Sequence, residues 1–367
     1  MSSAPFALIM AGGTGGHVYP ALAVAKTLLE QGWKVAWVGT DRDLEARVVP
    51  QNGIPLHTLA THGLRGKGWA YKLSSIFRLG YSLMQALALM IRLKPNVVLG
   101  MGGYVTGPTG IAAFLLRRPL VIHEQNAVAG TANRWLRPFA QRTLCGLPGA
   151  FKGADDVLVV GNPVRQEITA AYFNSRMSAG EFTQERPFKV LVLGGSLGSL
   201  PLNKGVPEAL AQLTPADQQR VVLRHQCGDQ HFDVTAAAYS AVGIQAEVSA
   251  YIENMAEAYL WADLVIARSG ALTVSELLVT ATPAILIPLP HAIDDHQTMN
   301  AKVLTVRGAA LLLPQPELAT GGLSQMLTQF LAAPAGLRKM SEAAHAMASP
   351  TATDAVVDVL TEVAHAA

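Results

Sequence analysis

The stretch FALIMAGGTGGHVYP, Phe6 to Pro20, decides how the rest of the chain is read. An apolar run enters Gly12-Gly13-Thr14-Gly15-Gly16, and helix-forming residues follow. A buried strand, a glycine turn and a helix, in that order, open a Rossmann-type βαβ unit. The same order recurs in FKVLVLGGSLGS, Phe188 to Ser199, where a second apolar run meets Gly194-Gly195-Ser196-Leu197-Gly198. With 367 residues and roughly 150 residues per domain, two such openings imply two Rossmann-like α/β domains.

Outward from these two stretches the alternation continues. Further buried strands are expected at residues 34–39, 96–100, 120–123 and 143–145, and then at 220–226, 263–267 and 284–288. Helical patterns such as residues 19–30 and 272–280 lie between them. Alternation of this kind favours parallel sheets covered by helices on both faces. The turn-forming run Gly161-Asn162-Pro163-Val164-Arg165 sets the expected boundary. The domains then span 1–162 and 163–345. Residues 346–367 carry a last helix, near 354–364, free to pack back on the first domain. Residues 174–187 are polar and suit a surface excursion.

Composition narrows the function classes. Half the residues are hydrophobic, 15% are charged and the net charge is +2. That supplies two cores and gives no sign of a nucleic-acid partner. Cys145 and Cys227 are too few for a disulfide framework and lack metal-ligand spacing. They read as small, reduced, buried residues of a cytosolic protein. The N-terminus lacks the basic start and the length of a signal peptide. No run reaches the ~18 apolar residues of a spanning helix. The nearest, residues 73–93, is broken by Arg78, Gln85 and Arg92. It reads as an amphipathic βαβ helix.

A third glycine loop, Gly100-Met101-Gly102-Gly103-Tyr104, also follows a strand. Glycines at strand-to-helix turns let a ligand approach the backbone, and the helix amides then face an anion. Three loops point to phosphate. A dinucleotide cofactor fits poorly, because Gly13-Thr14-Gly15 is not followed by the third glycine of G-x-G-x-x-G. The acid nearest the end of the second strand is Asp41, and no Walker motif is present.

Taken in order, GGTGGHVYP (12–20), GMGGYVTGP (100–108), HEQN (123–126), GNPVR (161–165), RSGALTVSE (268–276) and DHQTMNA (295–301) resemble the MurG family. Its members are peptidoglycan N-acetylglucosaminyltransferases. The resemblance implies the GT-B architecture, two Rossmann-like domains facing a cleft, with the acceptor on the first and the UDP-sugar on the second. It implies inverting transfer of GlcNAc from UDP-GlcNAc to the 4-hydroxyl of undecaprenyl-diphosphoryl-MurNAc-pentapeptide, lipid I, with no cofactor and no metal site. The family commonly has Gly-Gly-Ser-Gln-Gly-Ala at the loop that here carries Leu197, so only Ser196 and the glycines are carried over there. The residues leave two alternatives open. One is another UDP-sugar enzyme of this architecture, a glycolipid glycosyltransferase or a UDP-GlcNAc 2-epimerase. The other is a non-catalytic nucleotide-sugar-binding module.

Several residues acquire expected roles from this resemblance. Glu276 can accept both ribose hydroxyls of UDP. Ala271, Leu272 and Thr273, with Val274 and Ser275 behind them, place helix amides at the diphosphate. The backbone of Ile252 pairs with uracil. Gln297 reads the GlcNAc hydroxyls, and Asn300 supports it. On the acceptor side the motifs bring together Thr14, His17, Tyr104, Glu124 and Asn126. Of these, Thr14 and Asn126, with Gly15, Gly16 and Arg165, are expected to reach the donor as well. His17 and Glu124 are the two candidates for the base that takes the nucleophile's proton.

The acceptor's polyprenyl tail stays in a bilayer, which implies a peripheral enzyme on the cytoplasmic face of the bacterial inner membrane. Ile76, Leu79, Leu83 and Leu87 form an apolar stripe at three- and four-residue steps. Lys67, Lys72, Arg78 and Arg92 lie on or beside it, and Phe114-Leu115-Leu116-Arg117-Arg118 is a second such cluster. Together they are expected to meet an anionic membrane surface.

Overall fold

The computed structural model describes residues 4–60, 69–172, 181–290 and 293–366, with backbone alone for 69–76 and 293. Lys67 and part of the 174–187 stretch lie outside the described residues, as do the side chains of Lys72 and Ile76. The chain forms two compact units. One is Met1–Arg165 with Thr351–Ala367, and the other is Gln166–Pro350.

The first unit is built on seven parallel strands: β1 (Phe6–Met10), β2 (Lys34–Gly39), β3 (Leu56–Thr58), β4 (Val97–Gly100), β5 (Leu120–Glu124), β6 (Arg142–Cys145) and β7 (Val157–Val159). Their order is β3-β2-β1-β4-β5-β6-β7. Helices α1 (Gly15–Glu30), α2 (Leu44–Gln51), α3 (Trp69–Leu93), α4 (Thr106–Leu115) and α5 (Thr131–Leu136) connect them. Alternate residues of β1 face opposite cores. Ala7 and Ile9 pack with α1 and α2 on one side, while Leu8 and Met10 pack with α3 and α4 on the other. Burial on both faces is why β1 reads as an unbroken apolar run. The polar breaks in α3 are anchors: Gln85 Oε1 accepts from the Ala60 amide at 3.0 Å, and Ser82 Oγ donates to Ala60 O at 3.1 Å.

The second unit has six parallel strands, β8 (Phe188–Leu193), β9 (Val221–Gln226), β10 (Ala246–Ser249), β11 (Leu264–Ala267), β12 (Ala284–Leu286) and β13 (Leu311–Leu312). Their order is β10-β9-β8-β11-β12-β13. Its helices are α6 (Gln166–Tyr172), α7 (Leu200–Ala211), α8 (Pro215–Gln218), α9 (Phe232–Ala241), α10 (Met255–Trp261), α11 (Ala271–Val279), α12 (His296–Thr305), α13 (Gly322–Ala332) and α14 (Ala335–Met347).

The last helix, α15 (Ala352–His365), packs on α1. Val356, Val357, Leu360 and Val363 lie buried in the first unit's core. At about 1.5–3 kcal/mol for each such side chain, the helix is integral to that unit. The first break between units falls after Arg165, three residues beyond the turn-based boundary. The reason is local: Gly161 O meets His123 Nε2 at 2.9 Å and Asn162 Nδ2 donates to Gln125 O at 3.0 Å, fastening the turn to the first unit. Both cysteines are free and buried, and burial pushes the Cys145 thiol up to about 12.

Candidate active site

In an open parallel sheet, ligands bind at the carboxyl ends of the strands where the strand order reverses. In the first unit that point lies between β1 and β4, and in the second between β8 and β11. All the glycine turns singled out above end one of these strands.

After β1 and β4 the two turns pack backbone to backbone. A Cβ on Gly103, whose φ is +92°, would lie 2.6 Å from Gly12 O, so only glycine fits. The His17 ring presses on the neighbouring Gly102, where a Cβ would come within 2.8 Å of its Cδ2. His17 thus sits in the first turn of α1, directly at the switch point. Thr14 begins that helix with no side-chain cap, and no acid occupies the first turn. One amide of the turn is already used, however. Gly13 N donates to Glu45 Oε2 at 3.0 Å. Oε1 of the same carboxylate accepts from Thr40 N at 2.9 Å and Thr40 Oγ1 at 2.8 Å. Glu45 is fully buried and anchors the turn. The sequence reading missed it, because it lies in no motif and looks like an ordinary first-turn helix acid.

Glu124 corrects an expectation. Its carboxylate is 2% exposed and accepts four hydrogen bonds. Oε1 takes Asn126 N at 3.0 Å and Asn126 Nδ2 at 3.2 Å, while Oε2 takes Gly130 N at 2.9 Å and Asn133 Nδ2 at 2.8 Å. Four donors fill its lone pairs, so no site is left to receive a nucleophile's proton. Glu124 organises the 124–133 loop. Asn126 is likewise turned back onto Glu124. His123 is fully buried, and burial lowers its pKa. It is therefore neutral, donating from Nε2 to Gly161 O, with Nδ1 placed to accept from Gln125 Nε2 at 3.2 Å. Arg165 lies over the Tyr19 ring at 5.9 Å, and Tyr104 is exposed.

The second unit's switch point is built from different chemistry. A Cβ on Gly198 (φ +76°) would overlap Cys227 O, so the turn after β8 interlocks with the end of β9. Gln226 bridges across it: Nε2 donates to Gly195 O at 3.0 Å, and Oε1 accepts from Ile252 N at 2.9 Å. The Ile252 amide, expected to meet a base, is therefore engaged by Gln226. Ser196 and Leu197 stand exposed in the turn. Arg268 crosses from the end of β11. It donates to Ser199 Oγ (3.2 and 2.8 Å), Ile287 O (3.0 Å), Pro288 O (3.1 Å) and Gln315 Oε1 (2.7 Å). All these acceptors are neutral, and among the described residues no carboxylate pairs with it.

Helix α11 follows Gly270 with no side-chain cap and no acid in its first turn. Asn300, fully buried, donates to Ser269 O at 3.1 Å and fixes the approach to that helix. Ala271, Leu272 and Thr273 carry the first amides of the helix, which have no intrahelical acceptor. Val274 N already donates to Gly270 O at 2.9 Å and its side chain is buried, while Ser275 Oγ donates to Ala271 O at 2.9 Å. Glu276 is 4% exposed and accepts from Tyr259 Oη at 2.8 Å. Gln297 Oε1 accepts from Leu289 N at 2.9 Å, which leaves its amide hydrogens to face outward partners.

The helices after the glycine turns differ from α8 and α10, and share bare first turns with α5, α13 and α14. Helices α8 and α10 have side-chain caps from Thr214 and Asn254 and an acid in the first turn. Helices α1, α4, α7 and α11 have neither. Bare, positively polarised helix ends are where anionic groups bind.

The apolar stripe of α3 is also corrected. Leu83 and Leu87 pack against the core under the sheet. The side chains that face solvent are Phe77 (73% exposed), Leu79, Tyr81, Met84 (65%) and Ile91. Of the expected stripe, Leu79 is exposed while Leu83 and Leu87 turn to the core, because the helix is apolar on more than one face and only packing tells which one the sheet covers. Phe114 and Leu115 on α4, with Trp135 and Phe139 beyond, are exposed as well. Helix α3 packs on α4, and α4 on α5. Among the described residues no helix is long and apolar enough to cross a membrane.

Comparison with known proteins gives the same picture of two domains. Residues 7–145 match the glycosyltransferase family 28 N-terminal domain, and residues 189–356 match its C-terminal domain. The UDP-N-acetylglucosamine–N-acetylmuramyl-(pentapeptide) pyrophosphoryl-undecaprenol N-acetylglucosamine transferase of Pseudomonas paraeruginosa is 51% identical, over 97% of this chain and 98% of that one. The enzyme of the same name from Azotobacter vinelandii is also 51% identical over the same shares. The crystal structure of Acinetobacter baumannii MurG superposes with a TM-score of 0.83 at 39% identity, covering 98% of this chain and 99% of that one.

Proposed function

The chain belongs to glycosyltransferase family 28, and on that premise we propose how its two units divide one reaction. It transfers N-acetylglucosamine from UDP-GlcNAc to undecaprenyl-diphosphoryl-MurNAc-pentapeptide, converting lipid I to lipid II for peptidoglycan. The first unit receives the lipid-linked acceptor and the second holds the donor. The observation that carries this division is the contrast at the switch points: the second offers a cation, Arg268, with only neutral acceptors beside the bare end of α11.

In the second unit, the diphosphate of UDP lies at the amides of Ala271, Leu272 and Thr273, with Ser196 and the glycine backbone of the β8 turn on its other side. Glu276 accepts the ribose hydroxyls. Gln297, its oxygen held by Leu289 N, turns amide hydrogens to the sugar hydroxyls. A uracil carbonyl reaches Ile252 N once Gln226 releases it. In the first unit, His17 takes the proton of the acceptor's 4-hydroxyl. That oxygen attacks the anomeric carbon opposite the diphosphate. The bond from the anomeric carbon to the UDP oxygen breaks, UDP departs with the electron pair, and the configuration inverts to a β-1,4 linkage. The negative charge growing on the leaving diphosphate meets the α11 amides and Arg268, groups already oriented before reaction.

The polyprenyl tail keeps the acceptor in a bilayer. Phe77, Leu79, Tyr81 and Met84, with Phe114, Leu115 and Trp135, supply apolar contact, and Arg78, Arg92, Arg117 and Arg118 meet anionic head groups. On this reading the enzyme works at the cytoplasmic face of the inner membrane.

The test is transfer of labelled GlcNAc from its UDP donor to a short-chain lipid I analogue by the purified chain. A labelled β-1,4 disaccharide product, with UDP-GalNAc a poor donor, is the expected outcome. No product from lipid I, but epimerised UDP-sugar in solution, would overturn the assignment.

A further inference from the structure

Glu276 sits where a carboxylate is expensive to keep. It is buried, and a buried carboxylate holds a fixed geometry only when neighbours satisfy it. The structure shows what does so here. Tyr259, 1% exposed on α10, donates its hydroxyl to Glu276 Oε2 at 2.8 Å.

The contact stands beside a hydroxyl network at the end of α11. Thr280 Oγ1 donates to Glu276 O at 2.9 Å. Thr282 Oγ1, with one hydrogen to give, donates to Thr280 Oγ1 at 2.8 Å or to Tyr259 O at 3.5 Å. Thr280 and Thr282 are themselves buried. The side chain of Tyr259 is thus joined directly to that of Glu276, and the end of α11 is held by its own hydroxyls close to the backbone of α10. A carboxylate tied at one oxygen, on a helix tied at its end, has little freedom to rotate.

We propose that Tyr259 is a positioning residue for the donor site: its hydroxyl sets the rotamer with which Glu276 receives the ribose of a uridine diphosphate. The proposal rests on the reading of Glu276 as the ribose acceptor and adds the group that orients it. Tyr259 touches no substrate. It acts through Glu276 by removing the conformational freedom that binding would otherwise have to freeze.

The experiment is calorimetric binding of UDP and of 2′-deoxy-UDP to the full chain and its variants. The two probes differ only in a ribose hydroxyl, so their affinity ratio isolates Glu276, and a merely structural loss moves both alike. The wild type should prefer UDP by roughly tenfold, the worth of one hydrogen bond to a charged acceptor. Tyr259→Phe keeps the ring and the packing. It should weaken UDP several-fold, weaken 2′-deoxy-UDP less, since only its 3′-hydroxyl still meets Glu276, and bring the ratio closer to one. Equal weakening of both probes, or no change in either, would overturn the proposal. Glu276→Gln separates the two layers. If it leaves the ratio intact, the ribose reading itself fails. If it collapses the ratio while Tyr259→Phe does not, Glu276 stands and Tyr259 falls. Should Tyr259→Phe not fold, Thr282→Val loosens the hydroxyl network behind the pair, and an unchanged ratio there also counts against the proposal.

Discussion

The glycine turn after β1 and the glycine turn after β8 start from one sequence pattern and are held by opposite chemistry. The first is anchored by a buried carboxylate, Glu45, which takes the Gly13 amide, and a second buried carboxylate, Glu124, organises the loop after β5. The second is anchored by a neutral carboxamide, Gln226, and has Arg268 close by. A glycine turn is thus a backbone shape whose charge is set by what holds it from behind. The turn held by an amide keeps the field near it positive, which suits a leaving diphosphate. The turn held by a carboxylate gives up an amide and lowers that field, which suits a site where a hydroxyl must lose its proton to His17.

The sharpest way to break the contrast lies within the first unit. His17→Ala should lower kcat by about 10²–10⁴-fold, the range for loss of a general base, while UDP binding stays as it was. Glu124→Gln should cost stability in a denaturant titration, because a donor now faces Asn126 or Asn133. The surviving enzyme should keep the wild-type pH–rate profile. If Glu124→Gln instead removed the acidic limb of that profile, the base would be Glu124 and the four-donor argument would fail.

A smaller effect compares the two anchors directly. Glu45→Ala strands Gly13 N and Thr40 N, while the Thr40 hydroxyl keeps Asp43 Oδ2 at 3.0 Å, and should cost about 3 kcal/mol of unfolding free energy. Gln226→Ala removes two neutral hydrogen bonds and should cost about 1 kcal/mol. Equal costs would mean that the charge of the anchor is immaterial. Gln226→Glu adds a binding test. Its carboxylate grips the Ile252 amide more tightly and repels Gly195 O, so UDP should bind about tenfold more weakly. Unaltered binding would show that the base does not need that amide.

The turns themselves were legible in the sequence, because strand, glycines and helix leave a local trace. The long central strands were legible for the same reason. The short strands β3, β7, β10 and β13 were not. They hold two to four residues each at or near the sheet edges, too few to show a pattern. The anchors were equally silent. Glu45 lies 32 positions from Gly13 and Gln226 lies 31 from Gly195, and nothing local marks either pair. Glu124 was found by motif, but the four donors around it were not, since a motif does not say what surrounds a carboxylate. Glu276 was found, and its burial and its partner Tyr259 were not.

The units also differ in their outer surfaces. The first exposes a run of large apolar side chains on α3, α4 and beyond, whereas the second exposes single ones such as Phe232, Leu260 and Val306. Cosedimentation of the full chain with vesicles should rise with anionic lipid and fall with salt. A Phe77→Glu, Met84→Glu variant should bind several-fold less with its folding intact. Leu83→Glu should instead destabilise the fold, because Leu83 packs on the core. Equal vesicle binding by the wild type and the double variant would remove α3 from the interface.

The smallest expected effect concerns metals, and it tests the positive field at the second turn. A diphosphate leaving group needs its charge met, and many phosphate sites meet it with a divalent cation. Here Arg268 stands with neutral acceptors only, and α11 presents uncapped amides at the same carboxyl end of the sheet as the β8 turn. These groups are fixed by Ser199, Gln315 and Asn300, so they need no recruitment from solution. Transfer activity should therefore change by no more than about twofold when a chelator removes divalent ions, since preorganised protein donors already carry the electrostatic load. Arg268→Gln should lower kcat in the same assay, because it removes the cation proposed to offset the charge on the leaving group. The rival site is the acid pair Asp294 and Asp295, of which Asp295 Oδ1 accepts from Thr298 Oγ1 at 2.6 Å. If the chelator abolished transfer, Mn²⁺ restored it, and Asp295→Asn prevented that rescue, the charge would be met by a metal held at that pair. The contrast between the two turns would then have to be redrawn without Arg268.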